Sequence, residues 1–336
     1  SRITVTNPAT GDKLIDVQDT GIESAELAIS AAKKAFGHWS SQPAEYRAKR
    51  LHLWFELIMQ YQDDLARILT LEQGKPLAEA KGEISYGASY FQWFSEEAKR
   101  IYGDVIPAPA ANKRTLVIKQ AVGVVAAITP WNFPHAMIAR KAAAALAAGC
   151  TFVVRPDPQT PLSALALAEL SNRAGIPAGV FNVVISSQAA AVGKLLTQHP
   201  DVAKFSFTGS TPVGKLLLQQ CATTVKKVSM ELGGNAPFIV FDDADIDAAV
   251  TGAIASKYRN AGQTCVCTNR LFVDQKIVET FTKKYVAEVK KLTLANGLGN
   301  DLANDLSDNL ADSSVNKPLL GPLISEKSAN RVNQLI

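Results

Sequence analysis

The sequence predicts an α/β protein with a mostly parallel sheet that is covered by helices on both faces. Three observations lead to this prediction: a helical first third, a change to β-branched runs at Thr115, and an alternation of short apolar strands with helices from there onwards. The chain has 336 residues, which is long enough for two globular domains with cores of their own.

The first third carries apolar residues at helical spacing in three stretches. The first covers residues 23–36, and Gly37 is expected to end it. The second covers residues 44–71, and the third runs over 77–102 after the break at Gly74-Lys75-Pro76. Their aromatic side chains are expected to pack into a core.

Strands begin where β-branched residues become frequent. Runs at 115–119 and 122–128 predict the first two strands. Further strands are predicted at 151–155, 180–184, 203–207, 237–241 and 271–273, and helices at 135–148, 161–174, 189–198, 212–221, 246–258 and 276–291. This alternation is typical of a parallel sheet with crossover helices. An Asn-, Asp- and Ser-rich stretch at 300–317 is expected to be a solvated loop.

Composition excludes several classes of protein. The formal net charge of +4 is too small to indicate nucleic acid or an anionic membrane surface as a partner. A hydrophobic fraction of 47% excludes a disordered chain. No apolar run approaches the roughly 20 residues that span a bilayer, and no secretory signal is visible. Four cysteines exclude a disulfide scaffold and suit a reducing, cytoplasmic compartment.

The segment from Gly262 to Cys267 contains the strongest candidate for a catalytic residue. Cys265 follows a glycine-led loop, and a thiol becomes a nucleophile when it is ionised and when the oxyanion that it creates is stabilised. The alternative is a cysteine that only packs. We expect no metal site, because the four histidines are scattered and Cys150 and Cys221 are distant in sequence.

Two further residues could assist such a thiol. Glu231 is flanked by apolar residues, and a carboxylate in apolar surroundings can serve as a general base near neutrality. The alternative is an ion pair with Lys226 or Lys227. Asn132 follows the predicted strand 122–128, at the strand end where open α/β sheets bind ligands. Its amide could donate to an oxyanion, or the segment could be a plain turn.

Residues 207–214, Phe-Thr-Gly-Ser-Thr-Pro-Val-Gly, end a strand and open a helix. A glycine there allows the backbone to approach a phosphate, and the helix N-terminus favours an anion. The spacing fits neither the dinucleotide fingerprint nor the P-loop, so this segment alone does not identify a nucleotide.

Together these motifs resemble the aldehyde dehydrogenase family over nearly the whole chain. They are Pro-Trp-Asn-Phe-Pro (130–134), Phe-Thr-Gly-Ser (207–210), Glu-Leu-Gly-Gly (231–234) and Gly-Gln-Thr-Cys (262–265). Longer segments at 71–77, 233–244 and 259–267 resemble the succinate-semialdehyde dehydrogenase branch. The resemblance implies a Rossmann-type parallel-sheet cofactor domain and an α/β catalytic domain.

The resemblance implies oxidation of an aldehyde by NAD or NADP. Cys265 would attack the aldehyde carbon, the Asn132 side chain and the Cys265 N–H would hold the oxyanion, and hydride loss would leave a thioester. Glu231 would activate the water that hydrolyses this thioester. The implied substrate is succinate semialdehyde. The alternatives are another short carboxylated aldehyde, such as glutarate semialdehyde, and an inactive dinucleotide-binding fragment.

The resemblance also assigns residues to the cofactor: Trp131 and Asn132 beside the nicotinamide half, Gly209 and Ser210 at the pyrophosphate, Val213 and Gly214 behind them, and Leu232 near the nicotinamide. At the adenosine end, Arg155-Pro156 replaces the family's Lys-Pro pair and is followed by Asp157-Pro158. Asp157 could accept from a ribose hydroxyl, whereas Arg155 could hold a 2′-phosphate. The choice between NAD and NADP therefore stays open.

A short aldehyde that ends in a carboxylate needs a cation at some distance from the nucleophile, and arginine suits bidentate carboxylate binding. The resemblance points to Arg140 and Arg259 as substrate-binding residues; the alternative is that both are surface or ion-paired arginines. It also implies a reversible disulfide between Cys265 and Cys267.

The resemblance predicts how the chain divides. Residues 1–230 would form the N-terminal helices and the NAD(P)-binding domain, with strands of the oligomerisation type within 103–125. Residues 231–336 would form the catalytic domain, with an insertion at 300–317. Family members continue past residue 336, so we expect a chain truncated at both ends, mainly at the C-terminus, with uncovered apolar surface and strand edges and an incomplete segment for homo-oligomerisation.

Overall fold

The structure is a computed structural model that describes residues 1–299 and 319–334. The chain begins with an antiparallel hairpin of β1 (Arg2–Thr6) and β2 (Lys13–Gln18). Four helices follow: α1 (Gly21–Ser41), α2 (Ala44–Gln60), α3 (Gln62–Gln73) and α4 (Leu77–Glu97). A 3-10 turn (Ala98–Arg100) then leads into a second antiparallel hairpin, β3 (Asp104–Ile106) and β4 (Thr115–Val117).

A five-stranded parallel sheet forms the centre of the molecule. Strands and helices alternate along it: β5 (Val124–Ile128), α5 (Ala136–Ala147), β6 (Thr151–Arg155), α6 (Leu162–Arg173), β7 (Phe181–Val183), α7 (Ala189–Gln198), β8 (Val202–Gly209), α8 (Thr211–Ala222) and β9 (Lys227–Leu232). The strand order is β7-β6-β5-β8-β9. The order therefore reverses at β5, and ligands bind open α/β sheets at the carboxyl ends of the strands beside such a reversal.

The chain then enters a smaller α/β unit. Its elements are β10 (Ala236–Val240), α9 (Ile246–Tyr258), a 3-10 turn (Arg259–Gly262), β11 (Thr268–Val273), α10 (Val278–Val289), β12 (Thr293–Leu294), β13 (Leu319–Leu320) and α11 (Glu326–Asn333). β10 pairs in parallel with β11, and β12 pairs in parallel with β13. A small core between this sheet and the helices α9 and α10 contains Val240, Val250 and Phe281.

The central sheet has a core on each face. Every residue of β5 and β6 is buried, which is typical of parallel strands covered on both sides. One core joins the sheet to α2, α4, α5 and α6, and the other joins it to α1, α7 and α8. In the first core the rings of Trp54 and Phe91 lie 4.3 Å apart, so α2 and α4 are held together by aromatic packing.

The α/β prediction is confirmed, and the helices predicted at 189–198 and 246–258 coincide with α7 and α9. Three local predictions are wrong. α1 passes Gly37 and ends at Ser41, because Trp39 is fully buried and its indole N–H donates to the Leu146 carbonyl at 3.1 Å. The stretch 44–71 is two helices that are separated at Tyr61, and the third helix ends at Glu97.

Among the described residues, the sequence patterns missed the short strands β3, β12 and β13 and three longer strands. Two of the longer strands, β1 and β2, form the N-terminal hairpin. The third, β9, alternates exposed and half-buried residues because it lies at the sheet edge, and its Met, Glu and Leu favour helix by intrinsic propensity. The predicted domain boundary at 230/231 falls inside β9, which stays paired with β8 as far as Leu232. The predicted loop 300–317 lies outside the described residues.

Two further observations concern exposed apolar side chains and apolar helices. The strands predicted within 103–125 include the hairpin β3–β4, which leaves Val105 76% exposed and, just beyond it, Ile118 72% exposed. Within residues 1–299 and 319–334, no helix has both the length and the apolar character that crossing a bilayer requires.

Candidate active site

A cavity of about 750 Å³ lies where the carboxyl ends of β5 and β8 face the smaller α/β unit. The sequence-predicted residues that line it are Trp131, Asn132, Arg140, Gly209, Ser210, Glu231, Leu232, Arg259, Cys265 and Cys267. The other predicted residues, Arg155, Pro156, Asp157, Pro158, Val213 and Gly214, do not line it. The fold therefore brings the residues predicted for chemistry and for the substrate to one cavity, together with part of the predicted cofactor set. The predicted adenosine-end residues lie outside this cavity.

The loop before β11 presents Cys265 to this cavity. Cys265 is exposed, whereas Cys267 is buried and its thiol donates to the Gly262 carbonyl at 3.0 Å. Asn260 and Ala261 take left-handed backbone angles, with φ of 52° and 53°, which non-glycine residues rarely adopt. This tight turn precedes the two cysteines, of which the exposed Cys265 and the buried Cys267 face different surroundings.

Asn132 joins the loop after β5 to the cysteine loop. Its side-chain Nδ2 donates to the Gln263 carbonyl at 2.9 Å. A primary amide carries two N–H groups, so a second one is left for an oxygen atom in the cavity. The Gln263 side chain in turn accepts from the Ile324 backbone N–H at 3.0 Å, which anchors the same loop to the segment after β13.

Glu231 lines the cavity from β9 but differs from the sequence-based expectation. Its side chain is exposed, so the predicted apolar surroundings are wrong. The alternative ion pair is absent too: among the described residues Glu231 makes no ion pair, and the Lys226 ammonium instead donates to the carbonyls of His199 and Val202. Glu231 is therefore an accessible carboxylate beside the cysteine loop.

Two arginines bring positive charge to the cavity. The Arg140 guanidinium is half-buried and lies 5.6 Å from the centre of the Tyr90 ring. The Arg259 guanidinium is exposed and lies 5.1 Å from the centre of the Phe133 ring. Within residues 1–299 and 319–334 neither forms an ion pair, so both are available to an anionic ligand.

Lys141 is a site-adjacent residue that sequence reasoning missed. Its ammonium donates to the Ser206 hydroxyl at 2.8 Å, and burial lowers its pKa to about 8, with Glu231 opposing this shift. Lys141 lines a second cavity of about 390 Å³ that shares Arg140 and Glu231 with the first one. The available signal was a lysine directly after Arg140 in an otherwise apolar helix.

Comparison with known proteins agrees with this geometry. The family model described as the aldehyde dehydrogenase family matches residues 1–336. The chain belongs to the aldehyde dehydrogenase family. A solved structure described as an Escherichia coli NADP-dependent enzyme superimposes with a TM-score of 0.93 at 58% identity, covering 99% of this chain and 66% of that one.

Several curated relatives act on anionic aldehydes, according to their names. A 3-sulfolactaldehyde dehydrogenase of Pseudomonas putida is 63% identical over 88% of this chain and 60% of its own length. An NADP(+) succinate-semialdehyde dehydrogenase of Escherichia coli is 58% identical over 99% and 66%, respectively. A glutarate-semialdehyde dehydrogenase of Pseudomonas aeruginosa is 60% identical over 88% and 61%. The chain thus spans 60–66% of the length of these relatives.

The residues that the resemblance assigns to the nicotinamide and the pyrophosphate are arranged in a way that fits a dinucleotide. The Ser210 side chain does not cap α8, so it leaves the first turn of that helix open to an anion. The Thr208 hydroxyl is buried and has no hydrogen-bond partner among the described residues. A Cβ on Gly214 would lie 2.4 Å from a methyl group of Leu232, so glycine lets α8 approach β9 closely without moving the Leu232 side chain.

The adenosine-end residues are arranged differently from the expectation. Arg155 is buried, and its Nη2 donates to the Ser186 carbonyl at 2.7 Å, so the guanidinium is turned inward and does not present itself to a 2′-phosphate. Asp157 is half-buried and accepts from the Gln159 backbone N–H at 3.0 Å. Burial raises the pKa of Asp157, and the Arg155 charge opposes this shift.

Metal ligands are not grouped in the described part of the chain. No set of three or more His, Cys, Asp or Glu side chains there could hold an ion.

His135, at the start of α5, makes the stability of the folded protein depend on pH. Both of its ring nitrogens are buried and have no hydrogen-bond partner in the part of the chain that the structure describes, and burial lowers its pKa to about 3. A Cβ on Gly87 would lie 2.2 Å from His135 Nδ1, so only a glycine in α4 leaves room for the ring. The neutral ring is therefore enclosed, and the folded protein resists its protonation.

We expect the His135→Leu variant to lose part of the acid sensitivity of the protein. Between pH 6.5 and about 3 the unfolded chain binds a proton at this residue and the folded chain does not. The free energy of unfolding therefore falls as the pH is lowered through this window, by up to about 1.4 kcal/mol per pH unit. Urea unfolding at several pH values measures this slope. The exposed His38→Gln variant is the control, and equal slopes in both variants would contradict the prediction.

Proposed function

We propose that this chain carries the catalytic centre of an NAD(P)-dependent aldehyde dehydrogenase that oxidises succinate semialdehyde to succinate. The proposal rests on one observation: a single cavity holds an exposed thiol, an amide, a carboxylate and two arginines that form no ion pair within residues 1–299 and 319–334. The names of the relatives, all dehydrogenases of short aldehydes with an anionic group, support it.

The chemistry starts at Cys265. Its thiolate adds to the aldehyde carbon, and the carbonyl oxygen becomes an oxyanion that accepts from the second Asn132 N–H and from the Cys265 backbone N–H. When bound, the oxidised nicotinamide supplies the hydride acceptor. The resulting thioester is attacked by a water whose proton passes to Glu231. Carboxylate leaves, and the thiolate is restored.

The substrate is recognised through its charge. Arg140 and Arg259 place two guanidinium groups at the cavity, and a guanidinium binds a carboxylate by two parallel hydrogen bonds. A sulfonate or a carboxylate one methylene further away would meet the same cations, so glutarate semialdehyde is the second candidate substrate. The length of the aldehyde is thus set less strictly than its charge.

The experiment is an absorbance assay of NAD(P)H formation with succinate semialdehyde, glutarate semialdehyde and an uncharged aldehyde of similar length. In Arg140→Gln and Arg259→Gln, KM for the charged aldehydes should rise about 10- to 100-fold, because each loses a charge-assisted hydrogen bond. KM for the uncharged aldehyde should stay within twofold.

The surface variant Arg100→Gln is the control for this assay. Equal effects on charged and uncharged aldehydes would refute substrate recognition by these arginines, and dinucleotide binding without turnover would favour the inactive-fragment hypothesis.

We further propose that NAD is preferred over NADP. Arg155 is committed to the Ser186 carbonyl, Pro158 offers no donor, and the Asp157 carboxylate would repel a 2′-phosphate while accepting from a free ribose hydroxyl.

The measured quantity for this cofactor preference is the ratio of kcat/KM for NAD to kcat/KM for NADP. We expect this ratio to exceed one and to fall roughly tenfold in Asp157→Ala, because a like-charge repulsion of about 1.4 kcal/mol is removed. Asp201→Ala, which removes a surface carboxylate, should leave the ratio unchanged. A wild-type protein that uses both cofactors equally well would overturn this preference.

A reversible disulfide between Cys265 and Cys267 also belongs to the proposal. It requires the Cys267 thiol to leave the Gly262 carbonyl, so it would form only with movement of this loop. Activity should fall under mild oxidant and return with reductant, and Cys267→Ala should abolish this response. Unchanged activity of the wild-type protein under oxidant would remove the disulfide from the proposal.

Assembly and location complete the proposal. Residues 1–230 would serve the cofactor and 231–336 the chemistry. The exposed apolar hairpin β3–β4 would contribute to a homo-oligomer. The free cysteines suit the cytoplasm.

A further inference from the structure

We propose that a buried polar bridge between α3, α4 and the cysteine loop positions Asn132 for its role at the oxyanion. The bridge consists of the side chains of Gln73, Lys75, Glu83 and Asn260. Lys75 and Asn260 donate to the Asn132 backbone carbonyl, Glu83 pairs with Lys75, and Gln73 donates to Asn260. This inference rests on the proposed function, because the reaction gives Asn132 its role. It assigns a task to the 71–77 segment, to which sequence analysis gave none.

Lys75 is the centre of the bridge. Its side chain is completely buried, and its ammonium lies 2.6 Å from the Glu83 carboxylate and 2.8 Å from the Asn132 carbonyl oxygen. The same ammonium lies 3.9 Å from the centre of the Phe133 ring. Burial lowers the pKa of Lys75, and the adjacent Glu83 opposes this shift and favours the ammonium form.

Glu83 fixes the helix that follows Asn132. Its second carboxylate oxygen accepts from the backbone N–H groups of His135 and Ala136, at 3.0 and 3.1 Å. These are N–H groups at the start of α5 that have no partner within the helix. One carboxylate in α4 therefore holds both the ammonium of Lys75 and the first turn of α5, and the Asn132 segment lies between these two attachments.

Gln73 and Asn260 connect the same carbonyl to the cysteine loop. The Asn260 amide donates to the Asn132 carbonyl at 2.9 Å, and its oxygen accepts from the Gln73 amide at 3.0 Å. The Gln73 oxygen accepts from the Lys75 backbone N–H at 3.0 Å, which closes the ring of contacts. The Asn132 carbonyl thus accepts from two donors: the Lys75 ammonium, in the segment before α4, and the Asn260 amide, in the loop that carries Cys265.

The bridge acts through Asn132 rather than on a ligand. None of its four side chains lines the 750 Å³ cavity, so they are positioning residues. A completely buried ion pair has a large desolvation cost and often stabilises a fold less than apolar residues of equal volume. Its contribution is therefore geometric: it sets the distance between the amide at residue 132 and the thiol at residue 265.

The double variant K75M/E83Q separates positioning from stability in the 336-residue chain. Removing Lys75 alone would leave a buried uncompensated carboxylate, which can unfold the protein. In the double variant the bridge contains no charged side chain, and the methionine fills the volume of the lysine. The glutamine oxygen can still accept from the backbone N–H groups of His135 and Ala136. The variant Q73M removes the Asn260 contact without changing any charge.

We expect both variants to lower kcat by about 10- to 100-fold, since a shift of an ångström in a reacting group has an effect of that size. KM for succinate semialdehyde and for NAD should stay within twofold, because the arginines and the helix α8 are untouched. The surface variant Lys81→Met, on the same helix as Glu83, should match the wild-type protein. A kcat within twofold of the wild-type value in a stably folded K75M/E83Q would overturn the proposal.

Amide hydrogen exchange provides a readout that needs no turnover. In both variants exchange should accelerate at residues 132–136 and 260–263 and stay unchanged at 124–128 in the sheet. If the wild-type chain oxidises no aldehyde, the proposed function fails, and the exchange pattern alone decides on the bridge. Exchange that is unchanged everywhere, or faster throughout the chain, would refute a specific positioning role.

Discussion

The hydrogen bond between the Asn132 amide and the Gln263 carbonyl is the contact on which the site depends. It joins two loops that belong to different sheets: one follows β5 in the central sheet, and the other precedes β11 in the smaller one. The Asn260 amide supports this contact by donating to the Asn132 backbone carbonyl at 2.9 Å, so two hydrogen bonds hold the amide segment against the thiol segment. Because reacting groups must be held to within about half an ångström, the junction of the two units matters as much as either core.

Most of the charged side chains around the cavity are positive. Arg140, Arg259 and the neighbouring Lys141 surround one acidic residue, Glu231. Positive side chains of this kind attract an anionic ligand, and in the proposed reaction they would stabilise the negative charge that moves from a thiolate to an oxyanion. The net charge of +4 does not show this local concentration of positive side chains, so composition alone could not indicate the proposed anionic substrate.

Sequence patterns predicted the alternating sheet and the motif residues that converge on the cavity, because local periodicity and short motifs determine both. They could not predict contacts between distant residues. The link from Gln73 to Asn260 spans 187 positions, and the inward turn of Arg155 depends on Ser186 in another loop. The exposure of Glu231 was also missed, since it follows from the edge position of β9 rather than from its apolar neighbours.

The burial of each group in this site agrees with the role proposed for it. Lys75 and Glu83 are completely buried, Asn132 is half-buried, and Cys265 and Glu231 are exposed. Groups that support others gain from rigid, water-free surroundings, where hydrogen bonds have one geometry and few competitors. A nucleophile must instead be reached by an aldehyde, and a base that activates water must be reached by water. The exposure of Glu231 is therefore consistent with a hydrolytic role, and apolar surroundings are not required for it.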